Sequence, residues 1–146
     1  HPALRTSYRG YNRKGLPNHA GNWYCATSEG YLYPGDNLGH GTHVMGTIVG
    51  SDGIGMAPGA RWIAVKVFDG EGITYDNWLH DGFQWLLAPG GDPGLAPHVV
   101  NNSWGSLLGA DETFRPDLRA LRAANILAME VSLGSMRPWS KFQAAL

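Results

Sequence analysis

Arg61-Trp62-Ile63-Ala64-Val65-Lys66-Val67-Phe68 is rich in β-branched and aromatic residues and is bounded by Gly-rich turns on both sides, the signature of a strand. Downstream, Tyr75, Trp78, Leu79, Gly82, Phe83 and Leu86 fall at helical spacing, with Thr74 or Asp76 available as N-cap. His98-Val99-Val100-Asn101-Asn102-Ser103 reads as a second short strand. Phe114, Leu118, Leu121 and Ala124 mark a further helix that must begin close to Pro116, because proline lacks the N–H that later turns need. Asn125 is its expected stop, and Ile126–Ser132 is a third strand. Strands alternating with helices imply crossover connections and a parallel sheet with helices on both faces, so the chain is of the α/β class.

Upstream of that unit, His43–Val49 fits a buried helix or a buried strand, and periodicity alone leaves the two open. Residues 1–38 are rich in Gly, Pro, Asn and Tyr and form a loop-rich lead-in, with one short helix near Ala3–Tyr8. The chain thus divides into the lead-in 1–38, a βα core over 39–127 and a divergent or frame-shifted tail over 128–146.

Composition narrows the function classes. The 146 residues are 43% hydrophobic, enough for one domain with a core. A net charge of −1 with no basic stripe argues against a nucleic-acid partner. No apolar run reaches the roughly 18 residues of a membrane span. Cys25 is the single cysteine, which excludes an internal disulfide framework and a Cys-rich zinc site.

The densest chemical signal is Gly39-His40-Gly41-Thr42-His43-Val44-Met45-Gly46-Thr47. Glycines flanking His40 let the backbone turn sharply, and an imidazole presented there has a near-neutral pKa suited to proton transfer. A metal pair made of His40 and His43 lacks HExxH or cysteine support. A purely structural role is the remaining alternative, and for His43 the expected role is in the core or behind the site. His80 and His98 read as structural or solvent-facing, Lys66 as a snorkelling strand residue, and Cys25 as a small half-buried side chain.

With these residues in view, Gly39–Thr47 resembles the histidine block of the subtilisin-like serine peptidases, the subtilases. Gly55-Met56-Ala57-Pro58-Gly59-Ala60 followed by Trp62-Ile63-Ala64-Val65-Lys66-Val67 resembles the family's stretch just after that histidine. Val99–Gly105 resembles a later strand of the same family. His1-Pro2-Ala3-Leu4 with Tyr8-Arg9-Gly10-Tyr11-Asn12 resembles its bacillopeptidase F-like branch. The resemblance implies a three-layer subtilisin-like fold, incomplete in this chain, and serine endopeptidase activity on extended polypeptides by an Asp/His/Ser triad.

By resemblance, His40 is the general base. Ser103, Trp104 and Gly105 line the primary specificity pocket, and Gly70 and Gly72 belong to an edge that pairs with substrate by strand addition. The same residues also suit plain turns, and Trp104 also suits packing. Ser135 stands where the family has its oxyanion-hole Asn. The family's Asp-Ser/Thr-Gly and Gly-Thr-Ser-Met-Ala motifs have no match here; Asp36 lacks that context and receives no catalytic role. The 146 residues alone are therefore expected to be inactive without the rest of a catalytic domain. The family often binds calcium, but Gly50–Gly55 offers one carboxylate, so no metal ligand or cofactor is assigned. An extracellular location follows from the resemblance only. The alternatives are a non-catalytic subtilase-like module that binds peptides or serves a structural role, and a metal-binding α/β domain.

Overall fold

The computed structural model describes residues 1–105 and 112–130. Its elements run α1 (Pro2–Arg5), β1 (Trp23–Cys25), α2 (His40–Val49), β2 (Ala64–Lys66), α3 (Asp76–Leu87), β3 (Val99–Asn102), α4 (Arg115–Ala123) and β4 (Leu127–Glu130), with 3-10 turns at Pro89–Gly91 and Pro93–Leu95. The divergent tail beyond Glu130, including Ser132 and Ser135, lies outside the described residues.

The strands form two parallel pairs. β1 lies on β2 with Trp23 opposite Ala64 and Cys25 opposite Lys66. β3 lies on β4 with Val99 opposite Leu127 and Asn102 opposite Glu130. A single parallel bridge between Tyr8 and Trp62 extends the first pair backwards. Each strand is joined to the next through a helix, as the α/β reading requires.

Alternation along β2 sorts side chains between two layers. Ile63, Val65 and Val67 enter one core with Leu79, Phe83 and Leu86 of α3, Leu121 of α4, Val100 and Ile126. Trp62 and Ala64 face the other way, against Leu4, Met45 and Val49 of α1 and α2. Helices therefore cover both faces of β2. Leu86, Val100 and Leu121 are among the most deeply buried side chains, and each such burial contributes about 1.5–3 kcal/mol.

Three contacts set how closely the layers approach. Gly82 faces the sheet so tightly that a Cβ there would sit 2.8 Å from Val67 Cγ1 and 3.3 Å from Val65 Cγ1. His80 Nδ1 and Asp117 Oδ2, 2.8 Å apart, tie α3 to α4. The Trp62 indole donates to the Leu4 carbonyl at 2.8 Å, pinning the N-terminal turn.

The structure corrects several expectations. His43–Val49 is helical, and that helix begins at His40. The lead-in contains a strand, β1, whose three half-buried residues carry no alternation signal. Arg61–Phe68 contributes only three residues to its ladder, because β1 is equally short. Helix α3 takes Tyr75 as its N-cap with no side-chain bond; Thr74 instead donates its hydroxyl to the Val67 carbonyl. Pro116 sits in the first turn of α4, where it costs nothing, and Asn125 ends that helix at φ 61°.

Candidate active site

His40 is the first residue of α2. Gly39 before it takes a left-handed conformation, φ 78°, which a side chain would strain. Gly39 has no side chain with which to cap the helix, and Asp36 supplies the cap instead. Its carboxylate accepts from the backbone N–H groups of Leu38 (3.2 Å), Gly39 (2.8 Å) and Thr42 (2.7 Å). Burial alone would push the Asp36 carboxyl up, but the bonds from Thr42, Gly39 and Leu38 outweigh it and hold the group below the ordinary carboxylate range.

The His40 ring is half-buried, with Nδ1 turned into protein. Burial lowers its pKa, the Asp36 charge pulls back upwards, and His43 adds to the lowering; the net is below the ordinary imidazole value. His40 therefore rests neutral near pH 7, the form that accepts a proton.

Beside α2 opens a groove of about 810 Å³, whose wall includes Tyr11, Trp23, Asp36, Gly41, Thr42 and Lys66. Lys66 is buried rather than snorkelling. Its ammonium lies 3.4 Å from Glu29 Oε2, donates to Asn37 Oδ1 at 3.2 Å and sits 5.4 Å above the Tyr31 ring. Glu29 Oε1 in turn accepts from the Gly70 N–H at 3.0 Å. Glu29 thus joins β2 to the Gly70 turn, and Lys66, through Asn37, joins both to the segment leading to His40. Sequence reasoning missed this link, since no local pattern joins positions 29, 37, 66 and 70.

The other residues singled out in the sequence fall as follows. Gly70 and Gly72 form a turn closed by Asp69, whose Oδ1 accepts from Glu71 N–H at 3.0 Å and Ile73 N–H at 2.8 Å; Gly72 has φ 79°. Ser103, Trp104 and Gly105 follow β3. The Ser103 hydroxyl accepts from Asn101 Nδ2 at 2.6 Å. The Trp104 ring packs 5.6 Å from Phe114 and 6.2 Å from Phe83. His43 is exposed rather than in the core, because its position on α2 turns away from Met45 and Val49. His80 is structural through Asp117, and His98 is exposed. Cys25 is half-buried with its Sγ 3.3 Å from Thr27 Oγ1. Asp52, the carboxylate of the 50–55 loop, accepts from the Ser51 hydroxyl at 2.7 Å. No helix of the described residues is long and apolar enough to cross a membrane.

The family profile described as the subtilase family matches residues 1–141. The chain is 49% identical over 147 residues to bacillopeptidase F of Bacillus subtilis (strain 168), covering 92% of this chain and 10% of that protein. It is 34% identical over 114 residues to subtilisin-like proteinase Mp1 of Magnaporthiopsis poae, covering 75% of this chain and 28% of that one. Subtilisin E of Bacillus subtilis (strain 168) is 35% identical over 79 residues, 51% of this chain and 19% of that protein. The chain spans between a tenth and little more than a quarter of the length of these relatives.

Proposed function

The chain belongs to the subtilase family, a family of serine peptidases, and from that premise we propose that residues 1–130 form part of a serine endopeptidase catalytic domain in which His40 is the general base. The carrying observation is the placing of His40 at the first turn of α2, directly behind the left-handed Gly39, with burial holding its ring below the ordinary imidazole range; Gly41 and Thr42 of the same turn line the groove, which His40 itself does not.

In this reading the ring takes the proton of a serine hydroxyl as it attacks the scissile carbonyl and returns it to the leaving amine. The serine and the orienting aspartate come from outside residues 1–146, whose sequence holds neither motif, so the 146 residues alone do not hydrolyse peptides. The backbone of Ser103, Trp104 and Gly105 lines the primary pocket, and the carbonyls of the Gly70–Gly72 turn meet an extended substrate. Ser135 is the proposed oxyanion donor. The proposal assigns no cofactor: the proton passes from the serine hydroxyl to His40 and on to the leaving amine. The working location is extracellular, an assignment that rests on the family.

A chimera tests the proposal. Residues 1–130 replace the aligned segment of the Bacillus subtilis bacillopeptidase F, and hydrolysis of a fluorogenic peptide is followed. The expected outcome is turnover that His40→Ala lowers by about 10⁴-fold or more, as removal of a triad member does, with no turnover by the isolated chain. A folded chimera that binds peptide but never cleaves it would leave the non-catalytic module as the reading. Cleavage indifferent to His40→Ala would end the assignment of the base.

A further inference from the structure

We propose that Asp36 is a positioning residue for His40, gripping the backbone on both sides of it and setting the charge its ring experiences. The inference rests on the reading of His40 as a general base, but its geometry stands apart from that reading. One carboxylate oxygen holds the Gly39 amide, immediately before His40, and the other holds the Thr42 amide, two residues after it. A third bond, to Leu38, closes the approach to the helix. Gly39 carries no side chain with which to cap α2, and Asp36 meets part of the need of its first-turn amides from four residues upstream of His40.

The grip has a mechanical consequence. With the residues before and after it fixed, His40 keeps its Cα–Cβ direction, and only its own torsions remain to be set. A catalytic group must be held within about half an ångström of the productive geometry, and a loop–helix junction left uncapped frays first. The grip has an electrical consequence too. A carboxylate at a helix N-terminus is stabilised there, so it remains ionised beside the imidazole. Among the charged or titratable groups that act on His40, Asp36 raises its pKa and His43 opposes it.

The test uses the 146-residue chain and needs no turnover. The His40 ring protons are titrated by NMR, and exchange of the Gly39 and Thr42 amides is followed, in the parent, Asp36→Asn, Asp36→Ala and His43→Gln. Asp36→Asn keeps an acceptor but no charge, so the His40 midpoint should fall while amide protection is largely retained. Asp36→Ala should lower the midpoint and also reduce protection of both amides roughly five- to tenfold, the size of a lost cap. His43→Gln should move the midpoint upwards. A midpoint unmoved by either Asp36 variant overturns the proposal, and does so even if protection falls, because Asp36 would then be a helix cap with no hold on His40. Failure of the chimera to cleave would instead strike the general-base reading and leave these titrations standing.

Discussion

Asn102 is 3% exposed, and among the described residues neither its Nδ2 nor its Oδ1 has a hydrogen-bond partner. The Trp104 Nε1 on the same side of the chain is equally without one. Burying an amide unbonded costs about 1–3 kcal/mol, and Leu has the same branched outline without the polar atoms. Asn102→Leu should therefore stabilise the 146-residue chain by about 1–2 kcal/mol in thermal melting; a lower melting temperature would show that the amide has found a partner in solution. The sequence shows two adjacent asparagines and cannot say which is inside, because that depends on strand parity. The structure answers it, with Asn101 bonded to Ser103 and Asn102 inward. The pH response is argued from Asp36 and His40 in the same way. Both have folded pKa values below their ordinary ones, so the unfolded chain binds more protons and stability falls with acid. The His40 contribution is complete above about pH 6.5 and the Asp36 contribution above about pH 4, each lost as the pH falls through the folded value. Stability measured by denaturant titration should decline in two stages across this range, and Asp36→Asn should remove the lower one. A flat profile between pH 7 and pH 3 would contradict the assignment.

The contact of α3 with β2 makes a sharper statement about packing. Alanine normally improves a helix interior over glycine by about 1 kcal/mol. At Gly82 the added methyl would meet Val67 Cγ1 at 2.8 Å, and Val67 is itself only 3% exposed. Overpacking costs about 1–3 kcal/mol, so Gly82→Ala should destabilise the chain, and Gly82→Ala with Val67→Ala should recover part of the loss relative to Val67→Ala alone. A stabilised single variant would mean that the helix can lift from the sheet at no cost. The helices were the most legible parts of this chain. Phe83 and Leu86 announce the buried face of α3 through their spacing, and Asn125 announces the end of α4 through its tolerance of positive φ. Strand β1 was illegible, because three half-buried residues have no period and owe their conformation to pairing with β2. The cap on α2 was equally hidden. Asp36 lies outside the first turn, and its reach across Gly39 depends on a left-handed residue that sequence can suggest but cannot orient.

The two strand pairs share one core yet do not bond to each other among the described residues, and that arrangement sets the behaviour of the whole chain. In β2 the even-numbered residues bond to the β1 side, as Ala64 N–H to the Asn22 carbonyl and Ala26 N–H to the Lys66 carbonyl show. Val65 and Val67 therefore direct their backbone groups to the opposite edge. In β3 the His98 carbonyl accepts from Leu127 N–H, so by the same parity Asn101 directs its groups away from β4. Each pair thus carries an edge whose backbone groups await a partner, and open edges template pairing with further chain. Such edges are what the proposed function requires, in which these residues are one part of a larger domain. It also makes a prediction for hydrogen exchange. The Val65 and Asn101 amides should exchange at least about tenfold faster than the ladder amides of Lys66 and Met129, although Val65 has a buried side chain. In the chimera, where the remaining segments are present, the Val65 and Asn101 amides should become as slow as their neighbours. Equal protection already present in the isolated chain would mean that the edges are satisfied by a second copy, which sedimentation at the same concentration would detect as a dimer. Protection without a dimer would mean that the two pairs close on one another, and the incompleteness inferred from their edges would be wrong.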